Sequence, residues 1–225
     1  MADVRRWTRQ LADERGRKVV FLSHCLLNEN TRYLGGACRS GAIGELVHTC
    51  LENGLGIVQM PCPEQCAWGG VLKRNLLWFF GSDGTLRYRL RNVLLPVLLW
   101  YTRRVYRRMA KQVADQITDY QSSGLTVVGV VGVDGSPSCG VRRTLDMKRS
   151  LEQVGQLAPA ASAKDMNAIV QACLTDGTGI FLDLLRKEME TRGLGVPFLA
   201  HDLIAELQGM QCRCTYEYGG GFCEV

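Results

Sequence analysis

The sequence has little that would place the chain in or across a membrane. In its basic central segment the longest apolar run is VLLPVLLWY at 93–101, far below the roughly 20 residues that a bilayer-spanning helix requires. The N-terminus, MADVRRWTRQLADERGRK, mixes both charges and lacks an apolar stretch ahead of a small-residue cleavage site, so we expect no signal peptide. We therefore expect no membrane span and a cytoplasmic location.

The sequence also lacks internal repeats, low-complexity tracts and the closely spaced cysteine pairs of a structural zinc site. Cys62 and Cys66 are separated by three residues, and Cys212 and Cys214 are too close for an ordinary zinc knuckle. Its ten cysteines could form a disulfide scaffold, but such scaffolds are typical of short secreted chains. A 225-residue chain that is 46% hydrophobic can bury a continuous core. We expect one domain, 1–225, whose reduced thiols bind metal.

Four short apolar runs rich in β-branched residues predict buried strands, namely 18–22 (KVVFL), 55–60 (LGIVQM), 125–133 (LTVVGVVGV) and 196–200 (VPFLA). Helical patterns separate them, at 41–53, from Pro96 to about Ser122, at 164–174 and at 179–192. Parallel strands need crossover connections, which usually run through helices. The alternation therefore predicts an α/β fold with a mainly parallel, Rossmann-like sheet and helices on both faces.

Finer expectations concern the first helix and two outlying segments. The helix at 41–53 is expected to bury one face, made of Ile43, Leu46, Val47, Cys50 and Leu51. Residues from about 72 to 106 are predicted to be a basic helical insertion. The Gly-rich tail, about 211–225, is predicted to be irregular, and the sequence assigns no role to its Cys212, Cys214 and Cys223.

A cysteine follows each of the first three predicted strands in a turn-forming context: Cys25 in VVFLSHC, Cys62 in GIVQMPC and Cys139 in VVGVVGVDGSPSC. The carboxyl ends of parallel strands meet at one edge of a sheet, so these thiols are expected to lie close together. A single such cysteine is as often a small buried hydrophobe, but three repetitions favour a ligand set. Thiolates select zinc, copper(I) or iron-sulfur clusters.

The segments SHCLLNENTRYLGG, PCPEQCAWGG and GVDGSPSCG, in this order, resemble the three signatures of the thiouracil desulfurase family. The resemblance spans 18–140 and continues more weakly through GTGIFLDLLRKEMETRGLGVPF. It implies a four-iron four-sulfur cluster held by three cysteines, with one iron open to the sulfur of a thiolated pyrimidine. Carried over by position, the ligands would be Cys25, Cys62 and Cys139. The sequence departs from the family where Cys66 precedes the Gly-Gly element.

The implied reaction replaces C=S by C=O and releases sulfide, which is formally a hydrolysis and needs a proton carrier. Glu64, two residues after Cys62, and Ser136, three before Cys139, are the predicted catalytic residues. Ser138 is a third candidate, although a hydroxyl at such a position usually bonds to the local backbone. His24 at the strand end is more typical of a structural side chain, and Asp134 of a turn former.

Two other functions stay open at this point. With Cys66 as a fourth ligand, the cluster would be closed and would suit an electron-transfer or redox-sensing module. A zinc-containing RNA-binding protein is the third reading. For it, residues 73–108 hold nine Lys or Arg and one acidic residue, interleaved with aromatics, a composition that suits contact with nucleic acid. Such a segment is more often a solvated helix face over core aromatics, and it could also be a self-association face or a membrane-surface patch. The sequence does not fix the oligomeric state.

Overall fold

A computed structural model describes residues 7, 11, 13–80, 84–158, 160–208 and 214–216 of the chain. Its strands are β1 (Lys18–Leu22), β2 (Gly56–Gln59), β3 (Thr126–Asp134), β4 (Arg143–Leu145), β5 (Leu174–Asp176), β6 (Phe198–Asp202) and β7 (Cys214–Tyr216). The main sheet has the order β2-β1-β3-β6-β7. Its first four strands are parallel, while β7 pairs with β6 in the antiparallel sense. A separate antiparallel pair joins β4 to β5.

Helices connect the parallel strands. They are α1 (His24–Leu27), α2 (Gly44–Glu52), α3 (Pro63–Ala67), α4 (Arg74–Phe80), α5 (Leu86–Arg89), α6 (Arg91–Ser122), α7 (Met147–Gly155), α8 (Ala163–Ala172), α9 (Ile180–Thr191) and α10 (Leu203–Leu207). A short 3-10 turn covers Glu29–Thr31. Within the described residues, no helix combines the length and the apolar character needed to cross a membrane.

The alternation of side chains along β1 divides the core into two layers. Val19 and Phe21 face a cluster that α6 and α9 complete, whereas Val20 and Leu22 face a second cluster that includes residues of α2 and α10. The sheet is thus covered by helices on both faces, as the near-continuous apolar strands predict. The α/β fold class with a mainly parallel, Rossmann-like sheet is confirmed.

Three expectations about local structure were wrong. The long helix begins at Arg91 and contains Pro96, because an exposed proline costs one backbone hydrogen bond while the apolar face of the helix still packs. Leu51 is exposed, so the buried face of α2 is narrower than its pattern suggested. β7 lies in the tail that was predicted to be irregular, and the flanking Cys212 and Cys223 lie outside the described residues. The strands β4 and β5 are too short to show a periodic pattern.

The basic segment, which is the helical insertion predicted at about 72–106, packs as part of the core and is not a separate unit. Its expected end near residue 106 falls in the middle of α6. The inward face of this helix contributes a row of buried side chains to the core, namely Leu95, Leu98, Thr102, Tyr106, Met109, Ala110, Val113, Ala114 and Ile117. The first half of α6 therefore belongs both to the basic segment and, through its inward face, to the core.

The same substitution at two leucines tests this assignment of faces. Leu22→Ala should lower the free energy of unfolding by about 2–5 kcal/mol, because Leu22 is fully buried between β1 and its neighbours. Leu51→Ala should change it by less than about 0.5 kcal/mol, because that side chain is 64% exposed. Urea denaturation measures both. Equal losses would contradict the placement of α2.

Candidate functional site

A cavity of about 190 Å³ opens at the carboxyl edge of the sheet, and Cys25, Cys62 and Cys139 all line it. β1 lies between β2 and β3. The next strand in the sequence, β2, therefore pairs on one side of β1, and β3 pairs on the other side. Crevices at such switch points are where open α/β sheets bind ligands. The structure therefore brings together the three cysteines that the sequence singled out.

Three different loops supply the three thiols. Cys25 lies in α1 directly after β1, where Ser23 bonds through both its amide and its hydroxyl to the carbonyl of Val131 at 3.0 and 2.9 Å. Cys62 is the residue before α3, and its sulfur accepts the Gln65 amide at 3.4 Å, with Pro63 fixing the first helical turn. Cys139 follows β3. Backbone bonds thus tie the Cys25 and Cys139 loops to β3, the latter through the Val133 amide at 2.7 Å, whereas Cys62 is held by the first turn of α3.

The loop that carries Cys139 is closed against the start of α9. The Ile180 amide donates to the carbonyl of Pro137 at 3.0 Å, and the Phe181 amide to that of Ser138 at 3.0 Å, so the loop satisfies helix amides that would otherwise lack partners. Gly179 makes this approach possible. A methyl group there would lie 2.5 Å from the Ser138 carbonyl group.

Asp134 closes the other side of this loop. Its buried carboxylate accepts the amides of Val141, Arg142 and Arg143 at 3.1, 2.9 and 3.3 Å, and pairs with the Arg142 guanidinium at 3.1 Å. Asp134 is not among the residues that line the cavity. Its interpretation as a turn-forming residue agrees with these contacts.

Burial keeps the three thiols protonated in the absence of a metal. It raises the pKa of Cys25 to about 11 and that of Cys62 to about 12, with the Glu64 carboxylate adding to the rise in each case. The pKa of Cys139 also lies well above its ordinary value, through burial and the neighbouring Cys25 and Cys62. Such thiols are poor nucleophiles, and a metal would have to displace their protons.

Glu64 links the two cysteine loops at the edge of the cavity. Its Oε1 accepts the Ser138 hydroxyl at 2.8 Å and lies 3.4 Å from the Ser136 hydroxyl. Its Oε2 pairs with the Lys73 ammonium at 3.2 Å. The predicted acid-base residue therefore lies beside the cysteines, with a cation on one oxygen and a hydroxyl on the other.

The two serines of this loop have different contacts. The Ser136 hydroxyl oxygen accepts the Cys139 and Ser138 amides at 3.0 and 3.3 Å, so it shapes the loop. The Ser138 hydroxyl makes the shorter bond to Glu64. The expectation that Ser138 would bond to local backbone was wrong, because the loop turns its side chain toward the other loop.

Lys73 is a site residue that the sequence did not identify. It lies at the start of the basic segment, where composition alone gave it the same weight as the neighbouring arginines. Its backbone is in the left-handed region, with φ of 51°, and its buried ammonium also donates to the carbonyl of Thr31 at 3.2 Å. Left-handed backbone at a non-glycine residue is costly and is concentrated at functional sites. No composition signal would have singled out Lys73.

Cys66 and His24 differ in their relation to the cavity. Cys66 is exposed on α3 and does not line the cavity, so this placement does not favour it as a fourth ligand. His24 lines the cavity, and burial lowers the pKa of its imidazole. Among the described residues, no three Cys, His, Asp or Glu side chains converge closely enough for a single metal ion.

A buried ionic network lies next to the cysteines. Arg32 lines the cavity and pairs with Glu206 at 2.8 Å and with Glu29 at 3.3 Å. Arg39 pairs with Glu206 as well, and His201 lies 3.2 Å from the same carboxylate. Because burial and the two guanidinium groups all disfavour a further positive charge, the pKa of His201 falls to about 4.

Enlarging Gly179 tests how strongly the Cys139 loop depends on its contact with α9. Gly179→Ala should lower the free energy of unfolding by about 1–3 kcal/mol, because the added methyl must displace backbone atoms. Gly195→Ala is the matched control, since a methyl there meets nothing within 4 Å. Chemical denaturation of both variants gives the comparison, and an unchanged Gly179→Ala protein would contradict the packing described.

His201 gives stability a defined dependence on pH. The unfolded chain binds a proton at this residue below about pH 6.5, whereas the native state resists it until about pH 4. The contribution of His201 to the free energy of unfolding is therefore complete above about pH 6.5. As the pH falls toward 4 this contribution is lost, on the order of 3 kcal/mol in total. His201→Gln should show a shallower loss of unfolding free energy between pH 6.5 and 4. Parallel curves for the two proteins would rule this out.

Comparison with known proteins gives one distant relative. An uncharacterized protein of Methanocaldococcus jannaschii, MJ0003, is 24% identical over 149 residues, which cover 64% of this chain and 81% of that protein. No protein-family model matches the chain. No solved structure matches it either.

Proposed function

We propose that the chain is an iron-sulfur-dependent desulfurase that removes sulfur from the thiocarbonyl group of a thiolated pyrimidine, such as a 2-thiouracil-like base. The observation that carries the proposal is the convergence of Cys25, Cys62 and Cys139 on one cavity beside Glu64. Among the described side chains no fourth thiol lines the cavity, and three thiols suit a cofactor that keeps a position open. The resemblance of the three cysteine-bearing segments to the thiouracil desulfurases points to the same reaction.

The residues around the cavity fit a four-iron four-sulfur cluster in kind. The three thiols come from separate loops and share one space, as the ligands of such a cluster would. Two cations, Lys73 and Arg32, line the same cavity and offset the negative charge of three thiolates. Bound there, the cluster would supply an open iron, a Lewis acid for the soft sulfur of the substrate.

The proton chemistry would fall to Glu64. The Lys73 ammonium pairs with one carboxylate oxygen, and the Ser138 hydroxyl donates to the other and orients it. The Glu64 carboxylate would take the proton of a water molecule that attacks the thiocarbonyl carbon, and would later return a proton to the departing sulfide. Ser136 holds the loop in which Ser138 and Cys139 lie. The overall change adds water and releases hydrogen sulfide, without transfer of electrons.

The remaining expectations are weaker proposals. An electron-transfer or redox-sensing module would need Cys66 as a ligand, and Cys66 is exposed outside the cavity. A nucleotide or tRNA substrate, or a zinc-containing RNA-binding role, would draw on residues 73–108. In that segment Tyr88 and Tyr106 are buried, whereas Trp78, Trp100 and Tyr101 are exposed. We propose a cytoplasmic location because reduced thiols persist there.

Serine substitutions at single cysteines test the ligand set. After anaerobic reconstitution the wild-type chain should hold about four irons, and Cys25→Ser, Cys62→Ser and Cys139→Ser should each lose most of them. Cys66→Ser and Cys38→Ser are matched controls at exposed cysteines and should keep the full iron content. Iron and sulfide analysis with visible absorption gives the result. Loss of the cluster in Cys66→Ser would favour the redox module instead.

Glu64→Gln separates catalysis from cofactor binding. The variant should keep its iron content but release sulfide from 2-thiouracil about 10²–10⁴-fold more slowly, since the amide cannot accept the proton. Gln65→Glu serves as a control on the adjacent residue, because it adds a carboxylate without removing Glu64. If the wild-type protein released sulfide from none of the thiolated bases, the proposal would be wrong. Equal rates in wild type and Glu64→Gln would remove Glu64 from the mechanism.

A further inference from the structure

The outer surface of α5 and the first half of α6 exposes an unusual set of large apolar side chains. We call this set the apolar cap; its members are Leu86, Leu90, Val93, Val97 and Trp100. Each of them is between 46% and 70% exposed. Large exposed apolar patches on soluble domains mark interaction surfaces, whereas single exposed apolar residues do not. The apolar cap is therefore a surface that requires an explanation.

Helical spacing places three members of the apolar cap on one face of α6. Val93, Val97 and Trp100 follow each other at intervals of four and three residues, so they lie along one side of α6. The opposite side of the helix is buried, with Leu95, Leu98 and Thr102 in the core. The outward face thus results from the pattern of the helix and is not a by-product of a loosely packed segment.

Arginines border the apolar cap. Residues 84–108 contain seven arginines and no acidic residue, and six of the arginines are exposed, namely Arg87, Arg89, Arg103, Arg104, Arg107 and Arg108. Within the described part of the chain, none of the last four forms an ion pair. Arg104 and Arg107 follow Trp100 on the same outward face of α6.

We propose that the apolar cap and its arginines dock on an anionic membrane surface, with the apolar side chains in the outer acyl layer and the arginines among the headgroups. Amphipathic helices with an apolar face and clustered arginines bind membranes in this way, through apolar area and attraction to anionic lipid together. The docking places the protein on the membrane and not across it. It does not depend on the desulfurase proposal, because none of these residues contributes to the cavity.

The charge and chemistry of this surface disfavour two other occupants. A second copy of the chain would meet the surface through a two-fold contact, which would bring the arginines of both copies together without a counter-charge. Nucleic acid would be attracted by the arginines and could stack on the exposed rings of Trp100 and Tyr101, but it offers no apolar surface to cover the four aliphatic members of the apolar cap.

Flotation of the full chain with lipid vesicles tests the proposal. The protein should float with vesicles of phosphatidylglycerol and phosphatidylcholine, should not float with phosphatidylcholine alone, and should bind less tightly as salt is raised. The double change Val93→Asp, Val97→Asp should weaken binding by about tenfold or more. The pair Arg103→Glu, Arg107→Glu should weaken it by at least about fivefold per arginine.

Leu51→Asp is the matched control, since it places the same charge at an exposed leucine on α2, and it should float like the wild type. All variants change exposed residues, so unchanged thermal unfolding curves should confirm that they fold. Three results would overturn the proposal. The first is that the protein does not float with anionic vesicles. The second is that the protein does not bind vesicles but light scattering shows an oligomer that the Val93→Asp, Val97→Asp change dissociates. The third is that it does not bind vesicles but retains RNA on filters in a way that depends on the arginines.

Discussion

The contacts of the Glu64 carboxylate join three parts of the chain that are distant in sequence. One oxygen accepts the Ser138 hydroxyl from the loop after β3, the other pairs with Lys73, and Glu64 itself follows Cys62 at the end of β2. The relative positions of Cys62 and Cys139 therefore depend on this carboxylate, since it bonds across the cavity edge between their loops.

The sheet edge could be predicted because strand periodicity and turn residues are local signals. The first predicted strand matches Lys18–Leu22 residue for residue, and the three cysteines after strands line one cavity. Lys73 could not be predicted, because its role comes from a left-handed backbone and a partner nine residues away on another element. Ser138 was undervalued for a similar reason: its partner lies 74 residues away, and local rules weigh only nearby backbone.

α6 has a different role on each of its two sides. Its inner side packs against residues beside the site. Thr102 accepts the Trp68 indole N–H at 3.0 Å, and the Tyr106 ring packs between those of Trp68 and Phe181 at centroid distances of 6.3 and 6.2 Å. The Tyr106 hydroxyl is buried, and burial together with the Glu64 charge raises its pKa. Its outer side carries the apolar cap. Composition could not separate these roles, because both sides draw on the same aliphatic and aromatic residue types.

The closure of the Cys139 loop against α9 has a consequence for the order in which the site is assembled. Backbone amides of Ile180 and Phe181 and the bare Cα of Gly179 set the path of this loop, and none of these groups needs anything inside the cavity. Under the function proposed above, this loop would therefore be in place before a cluster is loaded. A chain that had lost its cluster would then keep the loop ready for a second loading.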